Sequence, residues 1–505
     1  MMSLMIISGF ILAAVISVQL MKKRTKDSLH MVQLEGYLAD HYLKWLSMNR
    51  KKAYGLSGNE APIKKPLVMT QRATRLYRAN SSLSAAMIAL PAILLYWLSS
   101  SLILGIVVLV ALVAVVFYYQ PIIMALSTMV MKPIEDNINM GYYRAAQNKI
   151  KSRKDLEVVG ITGSFGKTST KFIVGTILSQ RFNVLNTPES YNTPMGLSKV
   201  INNDLSDEHE VFVAEMGAKT IGEIREVAQL AQPRIGILTS IGPVHIETFK
   251  NIDNIMKTKY ELIEELPTDG VAVFNYDNEY IRKLADKTFK EKMLYGLENV
   301  EELDMYAEDI VVNEEGSEFT LKDREGNSIR CRTRLLGKHN IYNLLAGACA
   351  SKVLGLSFEE ISKGIEKVEP VEHRLNLIES ANGVIIIDDA FNSNPVGTKA
   401  ALDVLSQFRE GRKIIVTPGM IELGEMEESA NHEFGVNIGK VCDYVILVGE
   451  QRTKPIYEGL MDTSFNPSNI FVVNNLQEAT EVIGKITKEK DVVLFENDLP
   501  DNYSE

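Results

Sequence analysis

The sequence predicts an α/β protein with a nucleotide-binding loop, preceded by an α-helical transmembrane region. Three observations carry this. From Leu156 onward short β-branched runs alternate with amphipathic helical stretches, a glycine-rich turn follows the first run, and no Asp, Glu, Lys or Arg occurs from Ala79 to Met131. The chain has 505 residues, room for about three domains of roughly 100–200 residues each. With 46% hydrophobic and 23% charged residues it has a globular rather than a disordered composition.

The elements follow in order. Met1 to Met21 carries no charged side chain, and its apolar run is just long enough to cross a bilayer core. Lys22, Lys23, Arg24 and Lys26 follow directly, and the positive n-region of a cleaved signal peptide is absent, which favours an uncleaved anchor over residues 4–21. Two more spans are expected at about 82–99 and 102–119, joined at Ser99-Ser100-Ser101. Residues 22–81, between the first span and the second, hold thirteen Lys and Arg against four Asp and Glu, a basic cytoplasmic loop suited to membrane lipid. Together these predict a multi-pass cell-membrane protein with its N-terminus outside and everything after Lys132 in the cytoplasm. The formal charge of −10 argues against nucleic acid as a partner. Cys331, Cys349 and Cys442 are too few and too irregularly spaced for a disulfide framework or a C-x-x-C zinc site.

Beyond Leu156, Val158–Ile161, Val211–Glu215, Ile235–Thr239, Val271–Asn275, Val384–Asp388, Lys413–Val416, Tyr444–Val448 and Val492–Phe495 read as buried strands of largely parallel sheets. The first runs into Gly160-Ile161-Thr162-Gly163-Ser164-Phe165-Gly166-Lys167-Thr168-Ser169-Thr170. A glycine-rich turn opening a helix presents backbone N–H groups and a positive dipole end to phosphate, with Lys167 reaching the β/γ-phosphates and Thr168 placed for Mg²⁺. Gly160 to Gly166 is one residue longer than the usual G-x-x-x-x-G-K-[ST] spacing. Glu215, His245 and Lys259 follow at strand ends or helix starts. A carboxylate and an imidazole at the C-terminal edge of a parallel sheet suit Mg²⁺ beside phosphates, whereas an ammonium group is no metal ligand.

In order and spacing, several motifs together resemble the Mur ligase family, most closely its MurF type, from about Leu156 to about Leu494. They are Thr162–Thr168, Glu215-Met216-Gly217, Gly242-Pro243-x-His245, Gly337-Lys338-His339-Asn340-x-x-Asn343, His373-Arg374, Asp388-Asp389-Ala390-Phe391-Asn392-Ser393-Asn394-Pro395 and Met420-Ile421-Glu422-Leu423-Gly424. The resemblance implies a P-loop Mur-ligase central domain over 151–370 and a Rossmann-like C-terminal domain over 371–505, behind the membrane region 1–150. It implies an ATP-dependent, amide-forming ligase of cell-wall synthesis that joins a carboxylate-bearing envelope precursor to an amine through an acyl phosphate. ATP would be held by Gly163, Ser164, Gly166, Lys167, Thr168 and Ser169, with Asn340 and Asn343 near the adenine, Asp389 at the ribose and Arg374 at the γ-phosphate. One Mg²⁺ would sit on Thr168 and Glu215, and a second on His245 and a carbamylated Lys259, whose added oxygens turn a cation into an anionic ligand. Lys167, His245, Lys259 and Arg374 would be the catalytic groups, and Asn192, Thr193, Asn392 and Asn394 would face substrate.

Two departures qualify the resemblance. Phe495-Glu496-Asn497-Asp498 stands where such enzymes usually show Lys-Gly-Ser, and the membrane region replaces the usual UDP-sugar domain. A tethered ligase for another envelope substrate, such as a lipid-linked glycan or a γ-linked poly-amino acid, and a nucleotide-binding membrane scaffold are the alternatives. A scaffold need not keep Lys167, Glu215, His245, Lys259 and Arg374 together.

Overall fold

The structure, a computed structural model, describes residues 19–55, 66–99, 102–188, 191–244, 246–313, 316–380, 382–390, 393–421 and 423–497. It forms two compact units, Met1–Gly141 and Tyr142–Leu499.

In the first unit the described regular elements are helices: residues 19–34, Ala39–Met48, Arg50–Tyr54, Gln71–Ser99, Leu102–Tyr118 and the start of Gln120–Ser152. Most of the described part of the basic segment 22–81 is helical. Leu29, Val32, Leu46, Leu76 and Met124 form its core. Gln120 donates to Thr25 Oγ1 at 2.9 Å and to Asn80, which donates to Ser127 Oγ at 3.2 Å, so these buried polar groups satisfy one another.

The multi-pass membrane localisation expected from the sequence does not stand. Among the described residues no single helix is long and apolar enough to cross a membrane, and the one pair that qualifies jointly is bent by 74° between Tyr118 and Gln120. Leu102–Tyr118 has 17 residues, about 26 Å at 1.5 Å per residue against a hydrocarbon core of about 30 Å. Gln71–Ser99 is longer, but it opens with Arg72, Arg75 and Arg78, and its uncharged part still carries Asn80, Ser81, Ser82 and Ser84. The expected span at 4–21 lies almost wholly outside the described residues.

The second unit contains two sheets. The larger has the order β2-β3-β1-β4-β5-β6-β7-β8-β9, with β1 Glu157–Thr162, β2 Val184–Asn186, β3 Val211–Glu215, β4 Ile235–Leu238, β5 Val271–Asn275, β6 Lys292–Gly296, β7 Met305–Asn313, β8 Gly316–Asp323 and β9 Ser328–Thr333. β1 to β7 pair in parallel and β7 to β9 antiparallel. The smaller sheet has the order β10-β11-β15-β12-β13-β14, with β10 Asn376–Glu379, β11 Ile385–Asp389, β12 Lys413–Thr417, β13 Tyr444–Val448, β14 Ile470–Val473 and β15 Val492–Glu496. Only β10 in it runs antiparallel to its neighbour.

All eight strands expected from the sequence are present within a residue or two. The antiparallel β7–β9 escaped because β8 alternates buried and half-buried positions, β9 alternates exposed positions with half-buried or buried ones, and both interleave charges, so they lack a continuous apolar run. Strand order positions the chemistry. β1 lies between β3 and β4, so their carboxyl ends bring Gly163, Glu215 and Thr239 to one edge, where ligands bind in open parallel sheets.

Candidate active site

β1 ends at Thr162 and a new helix, Lys167–Leu178, begins five residues later, leaving Gly163–Gly166 as the turn. Gly166 caps this helix at φ +79°, a left-handed conformation that L side chains rarely adopt, and a Cβ there would stand 2.7 Å from Asn343 Oδ1. A Cβ on Gly163 would stand 2.1 Å from Thr239 Oγ1. The turn is clamped from β4's side. Ser164 N–H donates to Ser240 O at 2.7 Å, Phe165 N–H to Ser240 Oγ at 2.9 Å, and Thr239 Oγ1 to Phe165 O at 2.6 Å. Lys167 Nζ folds back onto the turn, donating to Gly163 O at 2.9 Å and Ser164 O at 3.1 Å. Burial, and then the charge of Arg374, lower the Lys167 pKa, against the pull of Glu215.

Glu215, the last residue of β3, is 1% exposed. Its Oε1 accepts from Asn192 Nδ2 at 2.9 Å, while Oε2 lies 3.5 Å from Lys171 Nζ and has no hydrogen-bond donor among the described residues. Lys259 projects from the helix Ile252–Glu264, which Asn251 caps by accepting from Asn254 N–H at 2.9 Å. Its amine is buried, and that burial, aided by the nearby charge of Lys167, pushes its pKa down to about 7. On the same helix Glu261 accepts from Gly222 N–H at 2.9 Å and Arg225 N–H at 3.0 Å, anchoring it to the helix Glu223–Ala231.

Arg374 enters from a short segment held by two successive aspartates at the end of β11. His373 Nδ1 pairs with Asp388 Oδ2 at 2.7 Å, and Leu375 N–H donates to Asp389 Oδ1 at 3.2 Å. Both flanking residues are left-handed, His373 at φ +58° and Leu375 at φ +47°, so the two contacts hold a backbone that neither residue favours. Burial lowers the Arg374 pKa, opposed by Asp389, Glu215 and Glu496.

A cavity of 410 Å³ gathers many of the residues the sequence singles out: Gly163, Ser164, Gly166, Lys167, Thr168, Ser169, Asn192, Thr193, Glu215, Lys259, Arg374 and Asn394 all line it. Thr193 and Asn394 are also N-caps, of Pro194–Asn203 and Pro395–Gln407. Asn340, Asn343 and Asp389 do not line it. Asn343 accepts from Thr170 Oγ1 at 3.1 Å and donates to Asn340 Oδ1 at 3.2 Å, bracing the P-loop helix from behind. His245 and Asn392 lie outside the described residues.

Sequence reasoning missed Lys171, Glu223 and Ser393. Lys171 stands one helical turn after Lys167 and was legible as a second cation on that face; Glu223 and Ser393 reach the cavity only through tertiary packing.

The cavity's two walls correspond to two known domain types. Residues 161–351 match the Mur ligase middle domain, and residues 373–496 match the Mur ligase glutamate ligase domain. The chain is 32% identical over 340 residues to the UDP-N-acetylmuramoyl-tripeptide–D-alanyl-D-alanine ligase of Bacillus subtilis strain 168, covering 67% of this chain and 72% of that protein. Among solved structures it is similar to MurF from Acinetobacter baumannii, with a TM-score of 0.64 at 28% identity over 71% of this chain and 77% of the other. The MurF ligase of Thermotoga maritima in complex with ADP superimposes with a TM-score of 0.64 at 26% identity, over 71% of this chain and 80% of the other. With these likenesses spanning both walls of the cavity, the chain belongs to the Mur ligase family and, within it, to the MurF type.

Proposed function

We propose that this protein is a peptidoglycan-precursor ligase that uses ATP to join UDP-MurNAc-tripeptide to D-alanyl-D-alanine. The observation that carries the reading is the convergence of Lys167, Thr168, Glu215, Lys259 and Arg374 on one cavity. The acceptor carboxylate attacks the γ-phosphate of ATP, and the resulting acyl phosphate is attacked by the amine of the dipeptide, giving amide, ADP and phosphate. The chain's own work is positioning and charge compensation. Backbone N–H groups of the Gly163–Gly166 turn cradle the phosphates, Lys167 leaves its two carbonyl partners for them, and Arg374 meets the charge that develops on the transferred group.

Mg²⁺ fits the donor set. It binds through one or two carboxylates together with phosphates and water, and the buried Glu215, whose Oε2 has Lys171 Nζ at 3.5 Å but no hydrogen-bond donor among the described residues, lines the cavity together with Thr168. Thr168 and Glu215 would hold the ion, which supplies Lewis-acid stabilisation of the transferred phosphoryl group. Lys259 would serve a second ion once carbamylated: burial lowers its amine pKa to about 7, which favours the neutral amine that adds to CO₂, a reaction that releases one proton and leaves an anionic carbamate.

The test is phosphate release by the full chain with ATP, UDP-MurNAc-tripeptide and D-Ala-D-Ala, against other carboxylate and amine pairs, with Lys167→Ala as control. Turnover that needs both peptidoglycan substrates is expected. Turnover with a different pair alone overturns the substrate assignment, and silence with every pair overturns the ligase reading.

A further inference from the structure

β11 and β15 are adjacent and parallel, and their register sets Asp389 directly beside Glu496, two carboxyl groups at the ends of strands about 4.8 Å apart. Glu496 is 1% exposed. Its Oε1 accepts from Ser393 Oγ at 2.8 Å, but Oε2, equally buried, has no donor facing it among the described residues. An ionised Oε2 would be an unsatisfied acceptor beside a second negative charge, a costly arrangement away from water. A proton on it removes both problems, because the Oε2 hydroxyl then donates to Asp389.

We propose that Glu496 is a positioning residue for the ligase reaction: as a neutral carboxylic acid it donates to Asp389, and so fixes the Asp389 carboxylate that holds the Arg374 segment. Asp389 is then gripped from two sides, by Leu375 N–H at 3.2 Å and by Glu496. Asp388, next to Asp389 on β11, is engaged by His373, and Arg374 is the cation that faces the Asp389–Glu496 pair. Burial raises both carboxyl pKa values, against the pull of Arg374, so the pair retains a proton to higher pH than two exposed carboxylates would. Through Ser393, which lines the cavity, Glu496 also fixes the turn that enters the helix Pro395–Gln407.

The role deepens the ligase reading and rests on it, so the test has one arm that needs no turnover. Infrared difference spectra of the full chain at pH 7.5, wild type minus Glu496→Gln, should show a protonated-carboxyl stretch belonging to Glu496; its absence overturns the proposal whether or not the protein turns over. In the kinetic arm Glu496→Gln supplies a neutral donor to Asp389 and an acceptor to Ser393, and should keep kcat and the KM for ATP within about threefold of wild type. Glu496→Met, which can do neither, should lower kcat more than tenfold with less change in KM. If Glu496→Gln falls as far as Glu496→Met, the working form is the carboxylate and the proposal fails.

Discussion

Lys171 Nζ lies 3.5 Å from Glu215 Oε2, and neither side chain reaches solvent. The pair sits beneath the P-loop with one Glu215 oxygen committed to Asn192. Removing one member of a buried ion pair costs about 3–5 kcal/mol because the other charge is left uncompensated. Lys171→Met should therefore lose about 3 kcal/mol of stability in denaturant unfolding, and MgATP should restore more stability to the variant than it adds to wild type, since a divalent cation beside Glu215 replaces the missing charge. Equal gains for both proteins would remove Glu215 from the metal site.

Gly166 couples backbone conformation to nucleotide affinity. At φ +79° an added Cβ costs roughly 1–2 kcal/mol in conformation alone and meets Asn343 Oδ1 at 2.7 Å. Gly166→Ala should raise the KM for ATP at least about tenfold, the equivalent of 1.4 kcal/mol, with a smaller effect on the KM of either cell-wall substrate.

Asn343 braces that turn from the opposite side. Asn343→Leu leaves Thr170 Oγ1 and Asn340 Oδ1 without their present partners in a buried setting, at a cost of about 1–3 kcal/mol. Urea titration should show the loss, and ATP affinity should weaken with it. An unchanged unfolding midpoint would show that the bracing is without consequence.

Asp389 trades stability for function. Its folded-state pKa is raised from 3.8 to about 6, so the folded protein holds a proton that the unfolded chain releases, and stability contributed by this group falls as pH rises from about 4 to about 6. Asp389→Asn should be more stable than wild type at pH 7, with the difference closing toward pH 4. Ligase activity should behave oppositely, rising in wild type as Asp389 ionises through pH 6 and becoming low and flat across that range in Asp389→Asn. A wild-type profile without that limb would contradict the account.

What was legible in the sequence was what is written contiguously. Buried parallel strands such as Val211–Glu215 are unbroken apolar runs, and the turn from Gly160 to Thr168 carries its glycines, lysine and threonine in nine consecutive positions. The pairings Lys171–Glu215 and Asp389–Glu496 depend on sheet order, which brings together residues 44 and 107 positions apart, and no local pattern encodes them. The contact in which Asn343 accepts from Thr170 Oγ1 likewise joins residues far apart in the chain and is not written in any local pattern. The apolar stretch from Ala79 to Met131 misled for another reason: absence of charge does not fix helix length or direction, and the chain breaks after Tyr118 before a full crossing is built.

The most direct measurement of the central claim is isotope transfer. With both carboxylate oxygens of the acceptor labelled with ¹⁸O, an acyl-phosphate mechanism must deliver one labelled oxygen to each phosphate released, because the oxygen that attacks the γ-phosphate leaves with it when the amine displaces it. Singly labelled phosphate in step with amide formation is the result expected here. Unlabelled phosphate, from water attack on ATP, would contradict it.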